Sequence, residues 1–328
     1  MSEDHFNLAA EARQRRGAML KTAFGPAIGA ALADPCVIEI MVNPDGRLWL
    51  DRTDMGRIDT GERLRAAETE RIIRLIAAHM GQEAHGQAPI VSAELPDAGE
   101  RFEGVLPPVA PAACFSIRKP AGVIYRLDDY VGAGTLTGAQ ASRLRRAIAE
   151  KRNIVVAGGT GSGKTTFVNA LLAEIAGLDE RVIILEDTRE LQCAASDCVS
   201  LRTKPGAVTL GDLVRSTLRL RPDRIIVGEV RGEEALDMLK AWNTGHPGGL
   251  TTLHANSARA VLDRLEQLTL EAIAVPPRAL IAEAIDVVVF LRGRHAARRV
   301  EAIAHVDGLD ASGGYALRFE DETNPGEG

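Results

Sequence analysis

The 328-residue chain is 45% hydrophobic and 26% charged, with a formal net charge of −6 and 4% aromatic residues. That is the balance of an ordinary globular protein long enough for two domains. It lacks both the basic footprint and the aromatic platforms of a nucleic-acid motor, so no direct nucleic-acid contact is expected.

No run reaches 18 apolar residues. The best, residues 28–42, is interrupted by Asp34, Pro35 and Glu39, which argues against a membrane span. The opening Met1-Ser2-Glu3-Asp4-His5 is acidic and has no signal-peptide core. A cytoplasmic location is expected, with peripheral contact to a membrane complex left open. Cys36, Cys114, Cys193 and Cys198 form no C-x-x-C pair and have no histidine at ligand spacing. They are expected to be buried, reduced thiols without a metal.

Residues 1–30 read as a helix with Leu8, Ala12, Met19, Leu20 and Phe24 on a loose apolar face and Arg13, Arg15 and Arg16 solvated. Residues 37–42 and 47–51 flank Asn43-Pro44-Asp45-Gly46 and predict a β-hairpin. Residues 64–80 carry Ile72, Ile73, Leu75, Ile76 and Met80 at helical spacing. Residues 88–117 are proline-rich and strand-like. This half predicts a mixed α+β domain over residues 1–130, with residues 119–137, which hold Pro120, several glycines, Asp128 and Asp129, as the connection to the next domain.

From residue 138 to residue 320 the pattern alternates. Apolar runs at 154–157, 182–185, 225–227, 250–253 and 287–291 are separated by helical stretches at 165–176, 210–220, 233–242 and 257–270. Continuous apolar strands between helices predict a parallel sheet covered on both faces. The acidic tail from Glu320, residues 321–328 above all, is expected to be disordered.

Gly158-Gly159-Thr160-Gly161-Ser162-Gly163-Lys164-Thr165 fits G-x-x-x-x-G-K-[ST] at every fixed position, between a strand and the helix that Thr166 continues. That context aims backbone N–H groups and a helix N-terminus at phosphates, so the chain is expected to bind a nucleoside triphosphate. Lys164 would neutralise the β and γ phosphates, and the Thr165 hydroxyl would ligate Mg²⁺. Hydrolysis also needs carboxylates for metal and water, and cations for charge developing on the γ-phosphoryl group. Two strand runs end in acids, one in Glu186-Asp187 and one in Gly228-Glu229. A single acid there could be a helix cap, but two such acids downstream of a phosphate loop favour metal and water. A glycine-rich loop from Thr244 feeds a strand ending in His254, which is either structural or part of the site. Arg101 and Arg118 of the first half are candidate cations supplied by a separate domain.

These four blocks, in this order, resemble the secretion and traffic ATPase superfamily of type IV secretion, type II secretion and type IV pilus motors. Residues 158–165 match its Walker A motif, 185–190 look like its Asp box, 220–231 like an atypical Walker B, and 245–254 like its His box. Residues 39–46 and 115–120 point to the conjugative-transfer branch. The resemblance implies an α/β fold, with a RecA-like P-loop C-terminal domain and a smaller α+β, PAS-like N-terminal domain. It implies ATP and Mg²⁺ as ligands, a homohexamer, and partners among inner-membrane components of a secretion or conjugation complex. By carry-over, Glu229 would orient water and metal, Asp187 would assist at the metal, and Glu186 would be the other candidate base. His254 would sense nucleotide state, and Arg101 and Arg118 would reach the phosphates. Type II secretion and pilus-assembly enzymes commonly carry a four-cysteine metal subdomain and a long extra N-terminal region. Neither is found in this sequence, which favours conjugation over pilus retraction or type II secretion. A small-molecule kinase and a DNA-binding recombinase or helicase share the loop and remain as rival classes.

Overall fold

The computed structural model describes residues 3–96, 99–120, 122, 124–204, 206–293 and 297–320, with side chains from residue 17 onward. The chain divides into two compact units, Met1–Gly122 and Val123–Gly328.

The first unit begins with α1 (Glu3–Ala33), which is two helical pieces broken at Gly25, where φ is 69°, just before Pro26. Leu20, Phe24 and Ile28 are buried, whereas Met19 is 51% exposed. The side chains of Leu8, Ala12, Arg13, Arg15 and Arg16 lie outside the described residues. The expected hairpin forms as β1 (Val37–Val42) and β2 (Arg47–Arg52), with Val42 opposite Leu48. It continues into β3 (Gly56–Arg63), which the sequence did not signal because its side chains are mostly polar and exposed. After α2 (Ala66–His79) come β4 (Ile90–Glu94), β5 (Arg101–Val105) and β6 (Cys114–Arg118). Among the described residues these strands make one antiparallel sheet in the order β3-β2-β1-β6-β5-β4. Ile72, Ile73 and Ile76 of α2 pack with Ile40, Phe102 and Ile117 of the sheet in one buried cluster.

The second unit opens with α3 (Leu127–Gly132) and α4 (Gly138–Ala149). Leu127, Tyr130 and Leu136 are buried with Phe167 in its core. The unit boundary therefore falls at residue 122, ahead of the 130 expected from the glycine and aspartate content of this stretch. Next come β7 (Ile154–Gly158), α5 (Lys164–Ile175), β8 (Val182–Glu186), β9 (Cys198–Arg202) and α6 (Leu210–Thr217). They are followed by β10 (Arg224–Glu229), α7 (Glu234–Asn243), β11 (Leu250–Leu253), α8 (Ala260–Thr269) and α9 (Arg278–Ala284). Finally β12 (Val287–Arg292), β13 (Arg299–Leu309) and β14 (Tyr315–Phe319) complete the described residues.

The sheet order is β14-β13-β12-β7-β11-β10-β8-β9. The five apolar runs pair in parallel as expected, and β9 joins them at one edge. At the other edge β13 and β14 form an antiparallel hairpin. Side chains alternate between two covering layers. Val155 and Ala157 of β7 pack with α7 and α8, while Ile154 and Val156 pack with α4 and α5. Each such fully buried Val, Ile or Leu contributes about 1.5–3 kcal/mol.

Two expectations are corrected here. The four cysteines are free thiols, but half-buried rather than buried, with Cys193 and Cys198 packed at the margin of one core cluster. Glu320 is not tail: its N–H donates to Ile303 O at 3.1 Å, and its carboxylate lies 3.1 Å from both Arg143 Nη1 and His305 Nε2. Residues 321–328 lie outside the described residues.

Candidate nucleotide site

The strand β7 is buried along its whole length and stops at Gly158. The chain then makes the loop Gly159, Thr160, Gly161 and Ser162, and α5 starts with Lys164, Thr165 and Thr166. Gly163 caps α5 in the left-handed region at φ 88°, a conformation that costs other residues strain. No side chain caps this helix, and no acid sits in its first turn. Its first N–H groups have no partner within the helix, and the helix dipole adds positive potential there. Lys164 makes that potential stronger, yet it is only 8% exposed. Its ammonium donates to Gly158 O at 3.1 Å and Gly159 O at 3.3 Å. A buried cation at the positive end of a helix, beside a glycine loop, is chemistry that suits a polyanion. The loop also approaches the neighbouring strand closely, since a Cβ at Gly158 would stand 2.5 Å from Leu291 O.

The acids arrive from β8 and β10, which are adjacent and parallel. Glu186, the last residue of β8, is 4% exposed. Its Oε1 accepts from Glu190 N at 2.9 Å and Leu191 N at 2.8 Å. Burial pushes its carboxyl up to about 7, against the lowering effect of those two hydrogen bonds. Gly228 gives it room, because a Cβ there would come within 3.0 Å of Glu186 Cγ. The β10–β11 register slips between Val227 and Glu229, a bulge that turns the end of the strand. Thr252 Oγ1 donates to Gly228 O at 2.8 Å and fixes the bulge.

Glu229 Oε1 lies 2.9 Å from His254 Nε2, and its other oxygen pairs with Arg231. His254, just past β11, is in turn 3.4 Å from Lys164 Nζ. Burial first, and the Lys164 charge second, hold the His254 pKa below its ordinary value, so the ring is neutral at pH 7 and can accept from the ammonium. Asp187 accepts from Thr203 Oγ1 at 2.9 Å. Thr165, Glu186, Asp187 and Glu229 line one open cleft of about 350 Å³, together with Arg231. Arg231 carried no role in the sequence reading, because its partner Glu229 is set by the bulge rather than by spacing. The same holds for Asn169 of α5, whose Nδ2 donates to Glu190 O at 3.2 Å while Oδ1 accepts from Gln192 N at 2.9 Å.

Arg101 and Arg118 belong to the first unit. They face each other across β5 and β6, in a row of charges running Arg57, Asp51, Glu39, Arg118, Arg101 and Glu94 from β3 to β4.

The second unit thus has a RecA-like P-loop fold, with its glycine loop and acids together at the carboxyl ends of the strands, and the first unit is a smaller α+β fold. The chain belongs to the family described as type II/IV secretion system protein, whose model matches residues 31–302. It is 50% identical to a conjugal transfer protein TrbB of Rhizobium radiobacter over 291 residues, 88% of this chain and 90% of the relative. It is 46% identical to a probable conjugal transfer protein TrbB of Sinorhizobium fredii NGR234 over 310 residues, 94% of each chain. In fold it is similar to the crystal structure of the pilus retraction motor PilT with bound ADP, at a TM-score of 0.59 and 20% identity, covering 92% of this chain and 81% of that one.

Proposed function

We propose that this chain is a Mg²⁺-dependent ATPase that powers a type IV secretion or conjugative transfer apparatus as a homohexameric ring. It would work at the cytoplasmic face of the inner membrane, against membrane components of that apparatus. The observation that carries the reading is the single cleft in which Thr165, Glu186, Asp187 and Glu229 meet beside the glycine loop. The TrbB relatives support the conjugative assignment. The ring and the partners rest on family resemblance.

The loop N–H groups of residues 159–165 and the Lys164 ammonium would hold the phosphates. Among the described residues no three His, Cys, Asp or Glu side chains converge as a metal cage. That donor set suits Mg²⁺, which takes one or two protein oxygens and completes its shell with phosphates and water. Thr165 and Glu229, with Asp187 through water, would hold it, and the ion would neutralise charge on the β and γ phosphates. Glu229 would orient the attacking water. Glu186, carrying a carboxyl that titrates near 7, is the other group able to accept its proton. Arg101 and Arg118 would offset charge growing on the γ-phosphoryl group. His254, within 3.4 Å of both Lys164 Nζ and Glu229 Oε1, would report whether a γ-phosphate occupies the site.

Steady-state phosphate release from the purified chain tests this. Lys164→Ala is expected to lower turnover by about 10²–10³-fold. Hydrolysis that is absent in wild type, or indifferent to this substitution, contradicts the reading.

A further inference from the structure

One side chain beside the phosphate loop has no role in the account above. Arg298 lies just ahead of β13, and its guanidinium is laid against the loop. A Cβ at Gly163 would stand 2.7 Å from Arg298 Cζ and 2.8 Å from Nη1. Its Nη2 makes a long hydrogen bond, 3.5 Å, to Gly161 O, while Nε is buried without a partner. Tyr130, 6% exposed, has a hydroxyl that is also buried and unpartnered. The Arg298 charge is felt at that phenol. Tyr130 packs edge-on against Phe167 of α5 at 5.1 Å and against Tyr125 at 6.2 Å, and Tyr125 is 42% exposed. The hydrogen bond from Val300 N to Thr135 O, 2.9 Å, ties β13 to the segment carrying Tyr130.

The sheet order says which end of a nucleotide this cluster meets. The glycine loop leaves β7, which is flanked by β11 on one side and β12 on the other. His254, Glu229 and Glu186 follow β11, β10 and β8, all on one side. A γ-phosphate must face those groups, so the nucleoside end points toward β12 and Arg298. Arg298 also engages a loop carbonyl. Its guanidinium lies against Gly163 on the side that a Cβ would occupy, at the rim of the loop. A planar cation at that rim matches the flat π-face of a nucleobase.

We propose that Arg298 is a nucleobase-contacting residue, its guanidinium forming a shelf beside the glycine loop on which the base of the bound nucleotide stacks. This rests on the triphosphate reading of the loop. Calorimetric titration of the full chain with ADP and, separately, with inorganic tripolyphosphate tests it. Arg298→Ala should weaken ADP by about tenfold, the worth of one base stack, and leave tripolyphosphate affinity unchanged. Arg298→Lys should recover no more than roughly twofold, because an ammonium lacks the planar face. Unchanged ADP affinity in Arg298→Ala overturns the proposal, and so does an equal loss for tripolyphosphate, which would make Arg298 a phosphate clamp. Unaltered tripolyphosphate binding shows that the variant is folded. If Lys164→Ala binds both ligands as wild type does, the reading of the loop itself fails and takes this proposal with it.

Discussion

Glu186 occupies a position that a carboxylate tolerates poorly: at the end of a buried strand, 4% exposed, with two backbone N–H groups on one oxygen. Burial raises its carboxyl from 4.5 to about 7. The folded protein therefore holds this proton more tightly than the unfolded chain does. Stability linked to Glu186 is present below about pH 4.5 and is lost as pH rises toward 7. Glu186→Gln keeps an oxygen for the two N–H donors and removes the titration. Urea unfolding without nucleotide should find the variant more stable than wild type at pH 8 by up to about 3 kcal/mol, with the difference shrinking at pH 5. A stability gap that does not change with pH would mean that Glu186 is ordinarily acidic in the fold. That Glu186 and Glu229 sit near the glycine loop could be read from sequence, because an acid directly after an apolar parallel strand falls at the strand's carboxyl end. The partners of each acid could not. Arg231 reaches Glu229 only through the bulge at Gly228, and Asn169 reaches the Glu186 segment from another element.

At the scale of elements, β10 carries Glu229 at one end and a fully buried Arg224 at the other. Arg224 pairs with Glu180, and its guanidinium donates to Ile148 O at 2.7 Å and Gly248 O at 3.3 Å. Glu180 also meets Lys151 at 2.9 Å. The arginine thus pins the start of the strand to the end of α4 and to the loop entering β11. Arg224→Ala would leave Glu180 without its main partner and two carbonyls without donors. Such a loss costs about 3–5 kcal/mol, measurable as a drop in urea-unfolding free energy. A loss below about 1 kcal/mol would show that water replaces the guanidinium. The five parallel strands were legible because both of their faces are covered, which leaves continuous apolar runs. Strands β3, β9, β13 and β14 were not: each carries polar side chains on an exposed face or lies at a sheet edge, so its pattern resembles loop. Helix α3 was hidden for the opposite reason, two buried side chains among glycines and aspartates.

At the scale of the whole molecule, two separate buried clusters mark the second unit's sheet faces and a third fills the first unit. The division into an α+β half and an α/β half was visible as a change of period, from a hairpin with polar edges to strands alternating with helices. The family resemblance rests on four short blocks, all of which fall at the carboxyl ends of interior strands of one sheet, so the blocks themselves mark the site. Together the blocks are proposed to hold a bound triphosphate. The most direct test is a crystal structure of the chain with Mg²⁺ and a non-hydrolysable ATP analogue. The account predicts the β-phosphate against the N–H groups of Gly163, Lys164 and Thr165, with the metal on the Thr165 hydroxyl and the carboxylates of Glu186 and Glu229 turned toward it. A nucleotide bound away from the glycine loop, or a metal held without either strand-end acid nearby, would contradict it.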